Sequence, residues 1–381
     1  MSQLYTEDTA TAIGTAVIGA GCAGLSLCHH LASAGLPAAA LIDPGKPRPD
    51  HIWGFWDDGG NDLALARPLS HAAWQQWAFI DDERRIVHHA KDHAYRALSS
   101  EKFEGALQAA LPKAGTRSIN AAVCTARPQP SGRSRLTLDD GQQLSAEMVI
   151  DSRAPTPPDG CLLQHFGGWY VHMDQPVFDA GTAILMDFRV SQENGIHFIY
   201  LLPFSATTAL VESTVFSSAV LPPSWYDAQV AAYLTTQYPQ ATAFFDRRES
   251  GVIPLAVLHQ DQPFGTLLGL GAGALRASSG YAFSQIQRQA SSLSGALTTG
   301  SNSPLEPGCS ALETWMDQVF LAVLKNAPEC AAEIFLRAAA ALDGDQFAAF
   351  MRGHANWAVL LRLMRGLPIG LFLRAALSGG K

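Results

Sequence analysis

Charged side chains are scarce in this chain: Asp, Glu, Lys and Arg make up 16% of its 381 residues, against 48% hydrophobic residues. That balance excludes a disordered or scaffold protein, which lacks the apolar surface needed to offset ordering entropy. Basic residues are the rarer sign, 26 Lys and Arg against 34 Asp and Glu, for a formal net charge of -8. A clustered basic face for phosphate backbones is therefore not expected, and nucleic acid is excluded as a partner. The six cysteines (Cys22, Cys28, Cys124, Cys161, Cys309 and Cys330) contain no Cys-x-x-Cys pair. The chain also opens without a charged and apolar leader, and together these point to a reducing cytoplasm. Also lacking is the run of about 18 to 20 uninterrupted apolar residues that a membrane span needs. The best candidate, WAVLLRLMRGLPIGLFLRAAL from Trp357, is broken by Arg362, Arg365, Pro368 and Arg374. Apolar residues mixed with arginines suit two settings: peripheral association with the inner face of a membrane, or an amphipathic helix on the protein's own core.

What is present is most legible near the start. The length predicts two or three domains, and the run TAVIGAGCAGLSLCHHLASAG carries glycines at 19, 21 and 24 before a second strand, AAALIDP. Strand, glycines, helix, strand and acid in this order form a β-α-β unit that binds a dinucleotide. Gly19 permits the tight turn, Gly21 lets the backbone approach a pyrophosphate, and Gly24 lets the helix pack on the strand; Asp43 accepts hydrogen bonds from the ribose. The helix N-terminus offers unpaired N–H groups to the phosphates. Further along, RLTLDDGQQLSAEMVIDSRAP turns at Asp140-Gly141 and returns on a strand ending at Asp151, Ser152 and Arg153. A later strand precedes Gly271 and Gly273, with Ser278 and Gly280 ahead of a polar helix. Two returns to one cofactor are the habit of two-domain flavoproteins, so FAD is favoured over NAD.

The expected architecture is α/β: a Rossmann-like FAD-binding domain, an antiparallel β-sheet substrate domain and a helical C-terminal region. The β-α-β unit with an inserted segment covers 11–110, a return to the FAD domain 115–160, the substrate sheet 161–260, the last FAD-binding strand and helix 261–300, and the helical region 301–381. Val123 falls on the first return and is taken with the cofactor-binding set. Residues 181–216 read as three strands joined by short polar turns. Period-two alternation puts Leu210, Glu212, Thr214 and Phe216 on one face of the third strand. Glu212 thus shares an apolar, aromatic face, where loss of water raises a carboxyl pKa by up to roughly 3 to 5 units. Exposure to solvent or pairing with Arg189 is the competing reading. His88, His89 and His93 lie among charged residues without a supporting Cys or His cluster, so no metal site is expected.

The motifs LIDPGKPRPDHIWGFWDD, ILMDFRV, FIYLLPFS, VEST, GALRASSGYAF and QFAAFMRG stand in the order found in the lycopene cyclases, and the chain resembles that family from about Thr15 to Leu377. HIWGFW resembles the family's His-Thr-Trp-x-Phe-Trp pattern, and VEST its Glu-Glu-Thr or Glu-Asp-Thr segment. Two departures stand out: Ser213 replaces the second acid of that segment, and Arg276-Ala277 replaces His-Pro before Ser278-Ser279-Gly280-Tyr281. The resemblance implies a redox-neutral ring closure of a lipophilic polyene such as lycopene, with reduced FAD as the active form and NAD(P)H as its reductant. It implies Glu212 or the reduced flavin as the proton donor, Asp187 as a second candidate that orients Glu212 or serves the structure alone, and His51 near the flavin. Trp53, Phe55, Trp56, Phe198, Tyr200 and Tyr281 are the expected aromatic lining, since aromatic faces stabilise a cation by about 0.5 to 2 kcal/mol each. A flavin monooxygenase on a lipophilic or aromatic substrate is the alternative the same fold supports.

Overall fold

The structure is a computed structural model that describes residues 10–37, 39–301, 305 and 308–377. Its first layer is a parallel core built on the strand Thr11–Ile18, which pairs on one side with Ala40–Asp43 and on the other with Gln143–Asp151. The strand Arg117–Asn120 extends it parallel to Ala40–Asp43, and Ser134–Leu138 and Val123–Pro128 extend it antiparallel. Between the first two strands the helix Cys22–Ser33 crosses over and buries Leu25, Leu27 and Leu31. The turn expected at Asp140-Gly141 is present, with Gly141 at φ +84 closing the hairpin from Leu138 to Gln143. The last return is short: only Thr266–Leu267 adds parallel to Gln143–Asp151, before the helix Phe283–Thr299 packs beside Cys22–Ser33.

A second sheet of seven strands runs in the order Ala243–Leu255, Leu162–Met173, Thr208–Ser217, Ile196–Pro203, Thr182–Asp187, Gln76–Ile80 and Arg85–His89. The three strands expected within 181–216 lie side by side and antiparallel. The sheet is larger than the 161–260 segment, however, because residues 76–89 join it, the strand Gln76–Ile80 running parallel to Thr182–Asp187. Trp77, Ala78, Phe79 and Ile80 are all buried, and so apolar a strand finds its cover only inside a sheet with both faces occupied. A three-stranded sheet of Ile52–Asp57, Ala94–Ser99 and Ala72–Trp74 lies between the two layers in sequence and pairs within itself.

The two faces of the large sheet have different cover. Ala209 and Val211 pack with Val230, Tyr233 and Leu234 of the helix Pro223–Gln237. Leu210 and Phe216 instead meet the C-terminal helices through Val319, Ile334, Leu336 and Phe347. Three of the C-terminal helices start with side-chain caps, at Ser310, Asp343 and Asn356, each satisfying an N–H that the first turn leaves unpaired. Pro368 separates the helices Trp357–Gly366 and Ile369–Leu377, as a residue without an N–H must. Among the described residues no helix is long and apolar enough to cross a membrane.

Ser213, the position where the resemblance leads one to expect a second acid, points to the helix-covered face, where its hydroxyl meets His197 Nε2 at 2.9 Å. His197 is fully buried, its Nδ1 lies 2.9 Å from the Ser191 carbonyl, and burial pulls its pKa from 6.5 down to about 4. Between those two values the unfolded chain binds a proton that the folded one does not, so stability falls as the pH drops from 6.5 towards 4. The contribution from His197 is about 3 kcal/mol. Chemical unfolding at a series of pH values should show this loss, and His197→Gln should flatten it; an unchanged slope in the variant would remove His197 as its source.

Candidate active site

The glycine turn is built as its residue types require. Gly19 sits at φ +98, and a Cβ on it would meet Ser152 Oγ at 2.8 Å, while its N–H donates to the Ile42 carbonyl at 2.8 Å. A Cβ on Gly24 would stand 1.9 Å from the Gly19 carbonyl oxygen, so helix and turn touch only because that side chain is missing. Gly21 precedes the helix, and a Cβ there would approach nothing nearer than Arg48 Nη1 at 3.7 Å. Asp43 closes the second strand and accepts the Ala20 and Gly45 N–H groups, both at 2.8 Å. Gly19, Gly21, Asp43, Val123, Arg153, Ser278 and Gly280 all line one cavity of about 1220 Å³. An open helix N-terminus, close-packed glycines and a strand-end carboxylate together fit a dinucleotide cofactor.

Other residues expected at the cofactor lie elsewhere. Asp151 is fully buried and holds Arg153 through two hydrogen bonds of 2.7 and 2.8 Å, so it positions the arginine rather than facing the cavity. Gly271 and Gly273 belong to a short 3-10 turn and its left-handed end, outside the cavity wall. The close approach there is made by Gly269, where a Cβ would meet that of Ala23 at 2.8 Å. His51 does not line the cavity either: its N–H donates to Ser100 Oγ at 2.9 Å and its Nδ1 is buried without a partner among the described residues. His88 accepts from Trp77 Nε1 at 2.8 Å and donates to the Ala339 carbonyl at 2.8 Å, and His93 Nδ1 meets Asp345 at 2.9 Å.

From the glycine turn the cavity runs between the large sheet and the C-terminal helices, and here its wall becomes aromatic. Trp53, Trp56, Phe198, Tyr200 and Tyr281 line it, joined by Phe166, Phe216, Phe320, Phe335 and Phe347. Phe55 departs from the expected set: it turns to the nucleotide side, its ring 4.7 Å from that of Phe283. Trp56 lies at the centre, with ring centroids of Tyr95 at 4.8 Å and Tyr281 at 4.9 Å. Tyr95 Oη joins the hydroxyls of Tyr200 at 2.7 Å and Tyr281 at 3.0 Å. Burial raises the pKa of all three, that of Tyr281 to about 12, so these hydroxyls keep their protons.

Glu212 lies in this aromatic wall and is only 7% exposed. Arg189 is not its partner: that guanidinium is bound by Asp187 at 2.6 Å, and Tyr233 Oη donates to the same carboxylate at 2.8 Å. Asp187 is therefore a paired structural group under the helix-covered face, away from the cavity, and not a second acid. The strand register instead forms one row across the sheet: Tyr200 opposite Glu212, Glu212 opposite Gly168, and Gly168 opposite Glu249. Burial, followed by the charge and hydrogen bond of Glu249, holds the Glu212 pKa well above the ordinary carboxyl range. Sequence reasoning missed Glu249 because it sits in DRRE, a run that reads as a solvated strand. It also missed Tyr95; the signals were glycines inside strands, Gly168 beside the carboxyls and Gly54 beside Tyr95, which mark close approaches.

The chain matches the family described as lycopene cyclase protein over residues 15–376. It is 30% identical to a lycopene beta-cyclase of a Paracoccus species over 282 residues, 68% of each chain. It is 25% identical to that of Pantoea ananas over 375 residues, 92% of this chain and 94% of the relative. A Pseudescherichia vulneris lycopene beta-cyclase is 29% identical, with 62% of its length spanned. Among solved structures, a geranylgeranyl bacteriochlorophyll reductase-like protein of Thermoplasma acidophilum superposes with a TM-score of 0.62 over 96% of this chain and 98% of its own, at 13% identity. A Klebsiella pneumoniae HpxO variant in complex with FAD gives 0.58 over 94% and 100%, also at 13% identity. These likenesses establish the two-domain flavoprotein fold.

The two glycines of the turn should separate folding from binding. Gly24→Ala drives a methyl into the Gly19 carbonyl and should cost about 1 to 3 kcal/mol or more of stability, read as a lower melting temperature. Gly21→Val should keep the fold and lose the yellow flavin on purification; a yellow, folded variant would overturn this placement of the phosphates.

Proposed function

The chain belongs to the lycopene cyclase family, and from that premise we propose that it closes the ends of a linear carotenoid, lycopene or a similar polyene, into β-ionone rings without net oxidation or reduction. The observation that carries this reading is Glu212: a buried carboxyl with no cation beside it among the described residues, set in the aromatic wall of a cavity continuous with the dinucleotide turn. An alkene is a poor base, so its proton donor must be dry and already protonated. Glu212 meets both requirements. Its O–H transfers a proton to the terminal double bond, whose π pair forms the new C–H bond and leaves a tertiary cation. An internal double bond then attacks that cation, and a ring proton returns to the Glu212 carboxylate. Trp56, Phe198, Phe216 and Tyr281 present ring faces to the cation and exclude water from it.

Gly19, Gly21, Asp43, Val123, Arg153, Ser278 and Gly280 would hold FAD, its pyrophosphate at the helix that follows Gly21 and its ribose near Asp43. When bound and reduced, with NAD(P)H as the reductant, the flavin supplies negative charge close to the cation. Redox neutrality follows from the substrate chemistry, since the proton gained and the proton lost leave the product isomeric with lycopene.

The far end of the cavity supports a peripheral place on a lipid surface. Leu361, Met364, Arg365, Ile369 and Leu373 line it, and Trp357, Leu361, Met364, Ile369, Leu373 and Leu377 are exposed. Residues 354–377 carry Arg362, Arg365 and Arg374 and no acidic residue. An apolar face studded with arginines suits an anionic bilayer, and its continuity with the cavity gives a hydrophobic substrate a path from lipid to Glu212.

Three experiments test the reading. Anaerobic incubation of the purified chain with reduced FAD and lycopene should yield a product of unchanged mass, with the polyene spectrum shifted; a gain of one oxygen with consumption of NAD(P)H would identify a monooxygenase instead. Glu212→Gln should lower kcat by at least about 100-fold while flavin stays bound, and retained turnover would remove Glu212 as the acid. Co-sedimentation with vesicles containing anionic lipid should weaken as salt is raised; salt-insensitive or absent pelleting would overturn the docking face.

A further inference from the structure

The row across the large sheet holds a second carboxyl that the ring-closure scheme has not used. Glu249 lies on the strand Ala243–Leu255, is 5% exposed, and stands behind Glu212 rather than in the cavity wall. The two glutamates are on strands that flank Leu162–Met173, and both register with Gly168 of that middle strand. A Cβ on Gly168 would stand 2.5 Å from Glu212 Cγ. The missing side chain is what lets two carboxyls from next-nearest strands meet. Glu249 Oε1 accepts the Ile52 N–H at 3.3 Å. Its Oε2 is buried, and among the described residues no N–H or O–H donor reaches it; its hydrogen-bonding neighbour is the Glu212 carboxyl. A buried acceptor in that position is satisfied only if Glu212 carries a proton.

We propose that Glu249 is the positioning residue of the site: a carboxylate tethered to the Ile52 N–H, it shares the single proton of the pair and fixes Glu212 as the protonated member facing the polyene. The proposal rests on the reading of Glu212 as the acid. Two carboxyls in contact cannot both ionise away from water. Which one keeps the proton follows from their surroundings. Burial raises both; Glu249 is drawn back by the Glu212 hydrogen bond, the Ile52 N–H and the Arg247 charge, with Asp50 opposing. Glu212 has no such aid, and the Glu249 charge raises it further. The remaining groups facing the pair are the protonated hydroxyls of Tyr170, Tyr200 and Tyr281.

The pairing acts on both halves of the ring closure. When the Glu212 O–H bond breaks and the terminal alkene carbon gains the proton, two carboxylates face each other across Gly168. Their repulsion makes the Glu212 carboxylate a strong base for the second half. A ring C–H then breaks, its electron pair becomes the new double bond, and the proton restores the Glu212 O–H. Protons balance, and no oxidant or reductant enters.

Infrared difference spectroscopy of the purified full-length protein, without substrate, tests the shared proton. Wild type minus Glu212→Gln should show one protonated-carboxyl stretch at pH 7. In Glu249→Gln the midpoint for losing it should fall by at least about one pH unit, a tenfold change in acidity. The alkaline limb of the kcat profile should move with it while KM holds. A folded Glu249→Gln with both midpoint and limb unmoved would reduce Glu249 to packing. If that variant does not fold, the wild type decides: two ionised carboxylates at pH 7, with no band lost in Glu212→Gln, overturn the pair. Wild type that carries the band but leaves lycopene unchanged would sink the functional reading alone; cyclisation with an unmoved midpoint would sink the pair alone.

Discussion

A carboxyl taken out of water with no cation beside it keeps its proton, and the arrangement of the large sheet answers to that constraint at Glu212. The side chains around it are those that leave a neutral acid neutral: aromatic rings, protonated tyrosine hydroxyls and one more carboxyl. The cations nearest in sequence are each bound elsewhere, Arg189 by Asp187 and Arg248 by Asp227, while Arg247 pairs with Asp50. Each such pair keeps a guanidinium from ionising Glu212. The acid's character is thus set partly by interactions that never touch it.

The same constraint ties the two halves of the molecule together. The strand Ile52–Asp57 leaves the nucleotide domain directly after the loop beyond Asp43 and reaches the carboxyl pair: its first N–H meets Glu249, a Cβ on its Gly54 would collide with Tyr95 and Tyr200, and its Trp56 packs at a tilt against Tyr95 and Tyr281. Beyond it Asp57 is held by Arg67 and Arg96 at 2.8 and 2.7 Å, which pins the strand's far end. One strand therefore spans from the loop beyond Asp43 to the carboxyl pair of Glu212 and Glu249. The C-terminal helices then close the cavity over the sheet, so that its polar end lies at the glycine turn and its apolar end at an exposed face.

Local rules made part of this legible. A β-α-β unit is contiguous, and its glycines are required by backbone contacts only a few residues apart, so Gly19 and Gly24 stand where the spacing put them. Alternation along one strand likewise sorts Glu212 from Ser213, and so shows why an acid at 213 would face His197 instead of the cavity. Long-range pairing was not legible. Asp187 and Glu249 look equally charged and equally placed in the sequence, yet one ends in an ion pair and the other beside the acid. Nor does any local signal say that residues 76–89 leave the first domain to finish the second sheet.

The amino-acid sequence by itself determined the dinucleotide turn, the face that Glu212 takes and the helix break at Pro368, because each follows from neighbours within one or two elements. Only the tertiary structure decided what surrounds that face. Which strands flank Leu162–Met173, and hence which carboxyl shares the gap at Gly168, depends on register between segments some 40 to 80 residues apart. Register between distant strands is set by the packing of both sheet faces at once, and no single segment contains that information.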